Sequence, residues 1–251
     1  MKKSQLYWLA IMIVLVSSYA CKDDDDLNPC ELDGVAPVSA TFTTSYEMGW
    51  QDSTRRFEGD TFVNSFSIIF TAEQEADSYQ WIIGDDPKVF DTKEFTLRFD
   101  DVVGAINVQL VIEATPNLDC FPADDGRDTI SSTIYLIEKE DSPILGKYRG
   151  IVNSAPTDTF DIDIHLIPPF NDDSNIDNLP KGCIRDEIYR LNFSLGYRNL
   201  AMRSLENYVN CPKPQGWGDL EVNNRITLEY TIWDSNIQQH VSDIFTGKKI
   251  N

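Results

Sequence analysis

Residues 160–166 read FDIDIHL, and this short stretch decides the fold class. Phe160, Ile162, Ile164 and Leu166 alternate with Asp161, Asp163 and His165. In an extended chain successive side chains point to opposite faces, so a period of two makes one apolar face and one wetted face. That is the mark of an antiparallel strand with a core on one side only. The same period recurs along the chain. Ile106, Val108, Leu110 and Ile112 stand against Asn107, Gln109 and Glu113. Leu191, Phe193, Leu195 and Tyr197 repeat the pattern, as do Ile226, Leu228, Tyr230 and Ile232. Phe62, Phe66, Ile68 and Phe70 share one face of a further run, in which Asn64 is the exception. Only residues 200–210 offer helical spacing, through Leu205, Tyr208 and Val209. Short alternating runs separated by Gly, Pro, Asn and Asp turns predict an all-β protein.

At 251 residues and 41% hydrophobic, the chain is long enough for two domains with real cores. The break falls at EKEDSPILGKY, residues 138–148, where an acidic run is followed by Pro143, which cannot continue a central ladder. The expected domains are residues 35–140 and 141–251. Acidic residues outnumber basic ones 41 to 21, a net charge of −20. Such a balance argues against nucleic acid, whose phosphates need a basic footprint. It argues equally against electrostatic docking on anionic lipid.

The N-terminus carries export signals. Lys2 and Lys3 precede an apolar run of eleven residues, 6–16, too short for a bilayer core that needs ~20. A positive start, a short apolar run and small residues before a cut predict a secretory signal over residues 1–20. Ser18-Tyr19-Ala20 suits ordinary signal peptidase, and it also resembles a lipobox ahead of Cys21. Of five cysteines, setting Cys21 aside for lipidation leaves an even four, Cys30, Cys120, Cys183 and Cys211. The four aspartates that follow, Asp23 to Asp26, cannot collapse on one another, so residues 21–34 read as a lipidated, solvated acidic tether. Beside an anionic leaflet such a block is pushed outward. Cys21-Lys22-Asp23-Asp24-Asp25-Asp26 resembles the export signal of Bacteroidota-type surface lipoproteins. That resemblance implies attachment to the outer membrane through the lipid anchor and display on the cell surface. The alternative is a periplasm-facing lipoprotein.

Residues 79–86, YQWIIGDD, resemble the Tyr-x-Trp-x-Phe-Gly-Asp-Gly core of PKD domains. Residues 95–99 and the stretch GAINVQLVIEA, 104–114, follow in the order of that family's next strands. The resemblance implies an Ig-like β-sandwich, with Trp81 in its core, of a kind that commonly serves as a spacer or a protein- and sugar-contacting module. Another Ig-like sandwich is the alternative. The C-terminal domain, with Gly146-Lys147-Tyr148-x-Gly150 near its start and FTGKKI near its end, weakly resembles the lipocalin-like β-barrels of bacterial lipoproteins. An antiparallel β-barrel or a second β-sandwich is therefore expected.

Candidate chemistry is sparse. His165 and His240 are the only histidines, and the sequence has no HExxH, GxSxG or glycine-rich phosphate loop. Four cysteines allow three pairings, and the one that stays within the domains joins Cys30 to Cys120 and Cys183 to Cys211. In DDSNIDN, residues 172–178, Asp173, Asn175 and Asp177 have the one-three-five spacing of a calcium loop, but Asn178 stands where the turn glycine belongs. No other cofactor is implied. CPKPQGWGD, residues 211–219, sets Trp217 between glycines after two prolines, which reads as a stiff loop presenting an indole to a ligand. Tyr197, Tyr208 and Trp233 are candidates to extend that patch. These residues together point to a non-catalytic surface lipoprotein that binds or scaffolds a glycan or protein. The alternatives are a secreted glycan- or peptide-hydrolysing enzyme using carboxylates hidden among the 41 acids, and a structural subunit of an envelope complex.

Overall fold

The computed structural model describes residues 30, 35–50, 53–64, 66–85, 89–166, 174–179, 192–203, 215–234 and 237–250. Their regular structure is almost all β, with 64% in strands. The first nine strands are β1 (Phe42–Trp50), β2 (Ser53–Glu58), β3 (Thr61–Val63), β4 (Ser67–Ala72), β5 (Ser78–Ile83), β6 (Val89–Phe90), β7 (Glu94–Arg98), β8 (Gly104–Glu113) and β9 (Arg127–Ile137). They form two sheets, ordered β2-β1-β4-β7 and β3-β9-β8-β5-β6. Both sheets send side chains into one core, which makes a β-sandwich. Trp81 is fully buried in it, edge-on to Phe42 at 5.3 Å and to Phe95 at 5.4 Å. Its indole N–H donates to the Thr92 carbonyl at 2.9 Å, so no polar group is stranded. After Ile83 the chain turns at Gly84, whose φ of +54° suits a residue without Cβ.

The apolar run from Phe62 to Phe70 is two strands rather than one. β3 pairs parallel with β9, while β4 lies in the opposite sheet between β1 and β7. The switch is pinned where Asn64 donates its backbone N–H to the Ile137 carbonyl at 2.8 Å. Because both sheets face the same core, the chain crosses from one to the other without breaking its period of two. That is why the sequence reads as a single run.

The remaining strands are β10 (Gly146–Val152), β11 (Ala155–Leu166), β12 (Ser174–Asp177), β13 (Asn192–Leu195), β14 (Asn199–Arg203), β15 (Gln215–Leu220), β16 (Arg225–Asp234) and β17 (Gln239–Ile250). They make one antiparallel sheet ordered β12-β11-β10-β17-β16-β15-β14-β13. The order is an up-and-down meander whose first and last strands, β10 and β17, pair with each other. The sheet curls into a half-barrel around Tyr148, Ile162, Ile164, Leu200, Met202, Leu228, Tyr230 and Phe245. Residues 200–203 are strand, not the start of a helix: Leu200 and Met202 point inward, and Ala201 points out. Residues 204–210 lie outside the described part.

Sandwich and half-barrel meet over a shared surface. The chain leaves β9 through a 3-10 turn at Lys139–Asp141 and reaches β10 at Gly146. The buried Ser142 hydroxyl lies 3.0 Å from the carbonyl oxygens of both Gly196 and Tyr197 and donates between them. On the sandwich side, the Tyr46 hydroxyl donates to Asn199 Oδ1 at 3.0 Å, and Asn199 Nδ2 donates to Asp219 Oδ1 at 2.6 Å. Burial, with Asp219 nearby, raises the Tyr46 pKa well above the ordinary phenol range, so the hydroxyl keeps its proton. Ala201, 4% exposed, and the half-buried Trp217 pack against the sandwich core rather than that of the half-barrel. At the other end of β9, as expected, Cys30 is bonded to Cys120, in the loop between β8 and β9.

Candidate functional site

The outer face of the half-barrel forms a groove where it meets the sandwich. Register places Ala201, Trp217, Glu229 and Ile244 in one row across β14 to β17, with Gln215, Thr231 and Ser242 in the next. Together with neighbouring backbone they line a depression of about 420 Å³. Strand alternation puts these side chains on one face because their partners at Leu228, Tyr230 and Phe245 are buried inside. The Thr231 and Ser242 hydroxyls are 2.9 Å apart. Arg55, from β2, bridges to Glu229 at 3.2 Å and holds its guanidinium 4.7 Å from the centre of the Trp217 ring. Phe57 packs against the same indole at 6.1 Å.

Trp217 lies on β15, not on a loop, and its flanking glycines serve the inside of the barrel. A Cβ on Gly218 would come within 2.6 Å of Leu228 Cδ2 and 2.7 Å of Leu200 Cγ. One on Gly216 would run into the Glu229 carbonyl oxygen. The glycines therefore let inner side chains press against β15, and they do not open the ring's faces. With Arg55 above the ring and Phe57 beside it, Trp217 is a wall of the groove and a seal on the sandwich core. What the groove offers a ligand is an indole edge, an amide at Gln215, two hydroxyls and an ion pair. Both members of that pair are about half exposed, so their mutual attraction is small and their groups are open to a ligand.

Of the two acids bordering the groove, Glu229 turns its side chain to it, while Asp243, opposite the inward Tyr230, turns its side chain to the interior of the half-barrel, and both are engaged. Glu229 is held by Arg55. Asp243, only 5% exposed, accepts the Ser154 backbone N–H at 3.2 Å, the Ser154 hydroxyl, and its neighbour Ile244 N–H at 2.9 Å. It thereby ties the β10–β11 turn to β17. Its charge, after burial, helps hold Tyr230 above the usual phenol range.

The other candidate residues are dispersed. Asn175 and Asp177 stand on β12, paired with His165 and Asp163 of β11. Two apart on an extended strand, their Cα atoms are separated by ~6.6 Å along the strand rather than wrapped around a point as calcium-loop ligands are. Asp173 lies outside the described residues, among which no group of three or more His, Cys, Asp and Glu is placed to hold a metal. His165 Nδ1 is 3.8 Å from Asp177 Oδ2. His240 is exposed at the start of β17; only β10 stands between its strand and that of His165, but register puts His165 beyond the Ile250 end of β17, ten residues along the strand. Tyr197 stacks with the Arg198 guanidinium at 5.5 Å. Cys21, Cys183, Cys211, Pro212, Pro214 and Tyr208 lie outside the described residues, as does the side chain of Trp233. Sequence reasoning missed Arg55, Glu229 and the Tyr46–Asn199 contact. Arg55 and Glu229 are 174 positions apart, so nothing local announces the pair.

No family model matches the sequence, and no curated protein matches it significantly.

Proposed function

We propose that the protein is a non-catalytic lipoprotein of the outer membrane, displayed at the cell surface, in which a PKD-like sandwich spaces a glycan-binding half-barrel from the lipid. The observation that carries this reading is the groove at the sandwich–half-barrel junction. It combines an aromatic wall with an amide, paired hydroxyls and an open ion pair, the mix that polyhydroxylated ligands use. The one carboxylate that faces the groove, Glu229, is held by Arg55, which favours binding over hydrolysis. The positions of the two ends of β9 fit the spacer role. The segment carrying the acidic tether is bonded at Cys120, at one end, and the half-barrel leaves from the other, ~33 Å away for an eleven-residue strand.

The test is a glycan array run with wild type beside Gln215→Ala and Thr231→Val, two changes that leave both cores intact. Binding by wild type that weakens in either variant supports the groove. An array on which wild type binds nothing, or on which the variants match it, overturns the reading.

A further inference from the structure

A second feature of the same outer face runs against the character of the whole chain. Register places Arg225 of β16 directly opposite Lys248 of β17, and Lys248 directly opposite Arg149 of β10. Three cations thus stand in one cross-strand row, on a protein with a net charge of −20. Like charges directly opposite each other destabilise a sheet, so the row is not explained by stability. Only its end is neutralised. Asp161 of β11 takes the Arg149 guanidinium through two bonds of 2.7 and 2.6 Å. Among the described residues no carboxylate lies within salt-bridge reach of Arg225 or Lys248, and both are exposed. Lys147, one row further along β10, faces Asp163 at 3.9 Å.

We propose that the open end of the ladder, Arg225 and Lys248, binds the carboxylate or sulfate groups of an acidic polysaccharide lying across the outer face of the half-barrel. The proposal rests on the glycan-binding reading above and names the class of glycan. Neighbouring strands are ~4.8 Å apart, about the length of one pyranose unit in an extended chain, so successive anionic sugars meet successive cations. Between ladder and groove lies a row with Thr227 opposite Thr246. From Glu229 to Arg225 along β16 is ~13 Å, a few sugar units. One oligosaccharide chain therefore reaches from the Trp217 groove to the ladder over hydroxyl-bearing side chains. An anionic bilayer or a duplex would meet the whole acidic surface, which two open cations cannot offset. A single polysaccharide strand touches only the strip, and at physiological salt the remaining charge is screened beyond ~8 Å.

The experiment is affinity electrophoresis of the full chain in gels holding chondroitin sulfate, polygalacturonate or dextran, with phosphatidylglycerol vesicles tested by flotation. At about 0.15 M salt, one of the acidic polymers is expected to retard wild type. The Arg225→Gln/Lys248→Gln variant should bind that polymer about tenfold more weakly or worse, while Lys248→Arg retains binding. Melting of the double variant should match wild type or rise slightly, since it removes a like-charge pair. Unchanged retardation of the double variant, absence of retardation by both acidic polymers, or binding to vesicles alone overturns the ladder. Loss of array binding in Gln215→Ala with no change in the double variant sinks the ladder and leaves the groove standing. The reverse pattern does the opposite.

Discussion

Trp217 and Gly218 are consecutive residues with opposite duties. The indole faces out, against Phe57 and beneath Arg55, while the glycine faces in, where Leu200 and Leu228 press on its backbone. Gly218→Ala is expected to cost about 1 to 3 kcal/mol, because packed inner side chains must shift, and urea melts would measure it. Trp217→Ala should cost about 2 kcal/mol, below the ~3 to 5 of a fully buried tryptophan, because the ring is only half covered. A Trp217→Ala melt equal to wild type would remove its role as a seal. These duties were hidden in the sequence for one reason. Residues 215–220, QGWGDL, place glycine at two inner positions where a strand ordinarily shows an aliphatic side chain, so the period of two vanishes and the segment reads as a loop.

Strands are the scale at which the sequence speaks most clearly. The alternation at Phe160 to Leu166 and at Ile226 to Ile232 maps onto β11 and β16, with Ile162, Ile164, Ile226 and Leu228 all buried. The order of strands did not show, since pairing of β10 with β17 and of β3 with β9 joins distant segments. On the outer face of β1, β4 and β7, Glu94 accepts from Thr71 Oγ1 at 2.8 Å and from Arg56 at 3.1 Å. The Thr71 bond first, then the Arg56 bond, holds the Glu94 carboxyl below its ordinary range. A depressed carboxyl adds stability above its unfolded pKa, ~4.3, and loses it as pH falls through the lower folded value. Because the group is half exposed, Glu94→Gln should remove less than ~1 kcal/mol at neutral pH and flatten the acid limb below about pH 4. A stability–pH curve parallel to wild type would dismiss the cluster. The Cys30–Cys120 bond spans 90 residues of sequence and, in the chain-entropy model, is worth about 4 to 5 kcal/mol. Cys120→Ser should lower the melting temperature by a corresponding margin, and an unchanged melt would show that the clip is idle.

The molecule as a whole behaves as two sheets' worth of core and a curled third, joined by a seal. Because Ala201 and Trp217 complete the sandwich core, sandwich and half-barrel should melt in one calorimetric transition. Ala201→Glu, which drives a carboxylate into that seal, should split the transition in two; two transitions in wild type would contradict the coupling. A change of sheet between residues 137 and 146 was legible in the acidic run and Pro143, but the shared core was not. Its C-terminal contribution is an alanine and one half-buried ring, residues too ordinary to signal an interface. At the same scale, Cys21→Ser is expected to shift the protein from the membrane fraction to the soluble one. Retention in the membrane fraction would end the lipid-anchor reading, and protection of the wild type from protease on intact cells would end surface display.

The disulfide also decides how the molecule carries load. Any tension on the chain ahead of Cys30 passes through the sulfur bridge to Cys120, along the short loop to Arg127, and down β9 to the half-barrel. β9 is already extended, so pulling its two ends apart has little slack to draw out. Residues 31–119, with all eight strands from β1 to β8, sit on a branch that bears no force. Reduction would put that entire branch in series, and the same pull would then unravel the sandwich strand by strand.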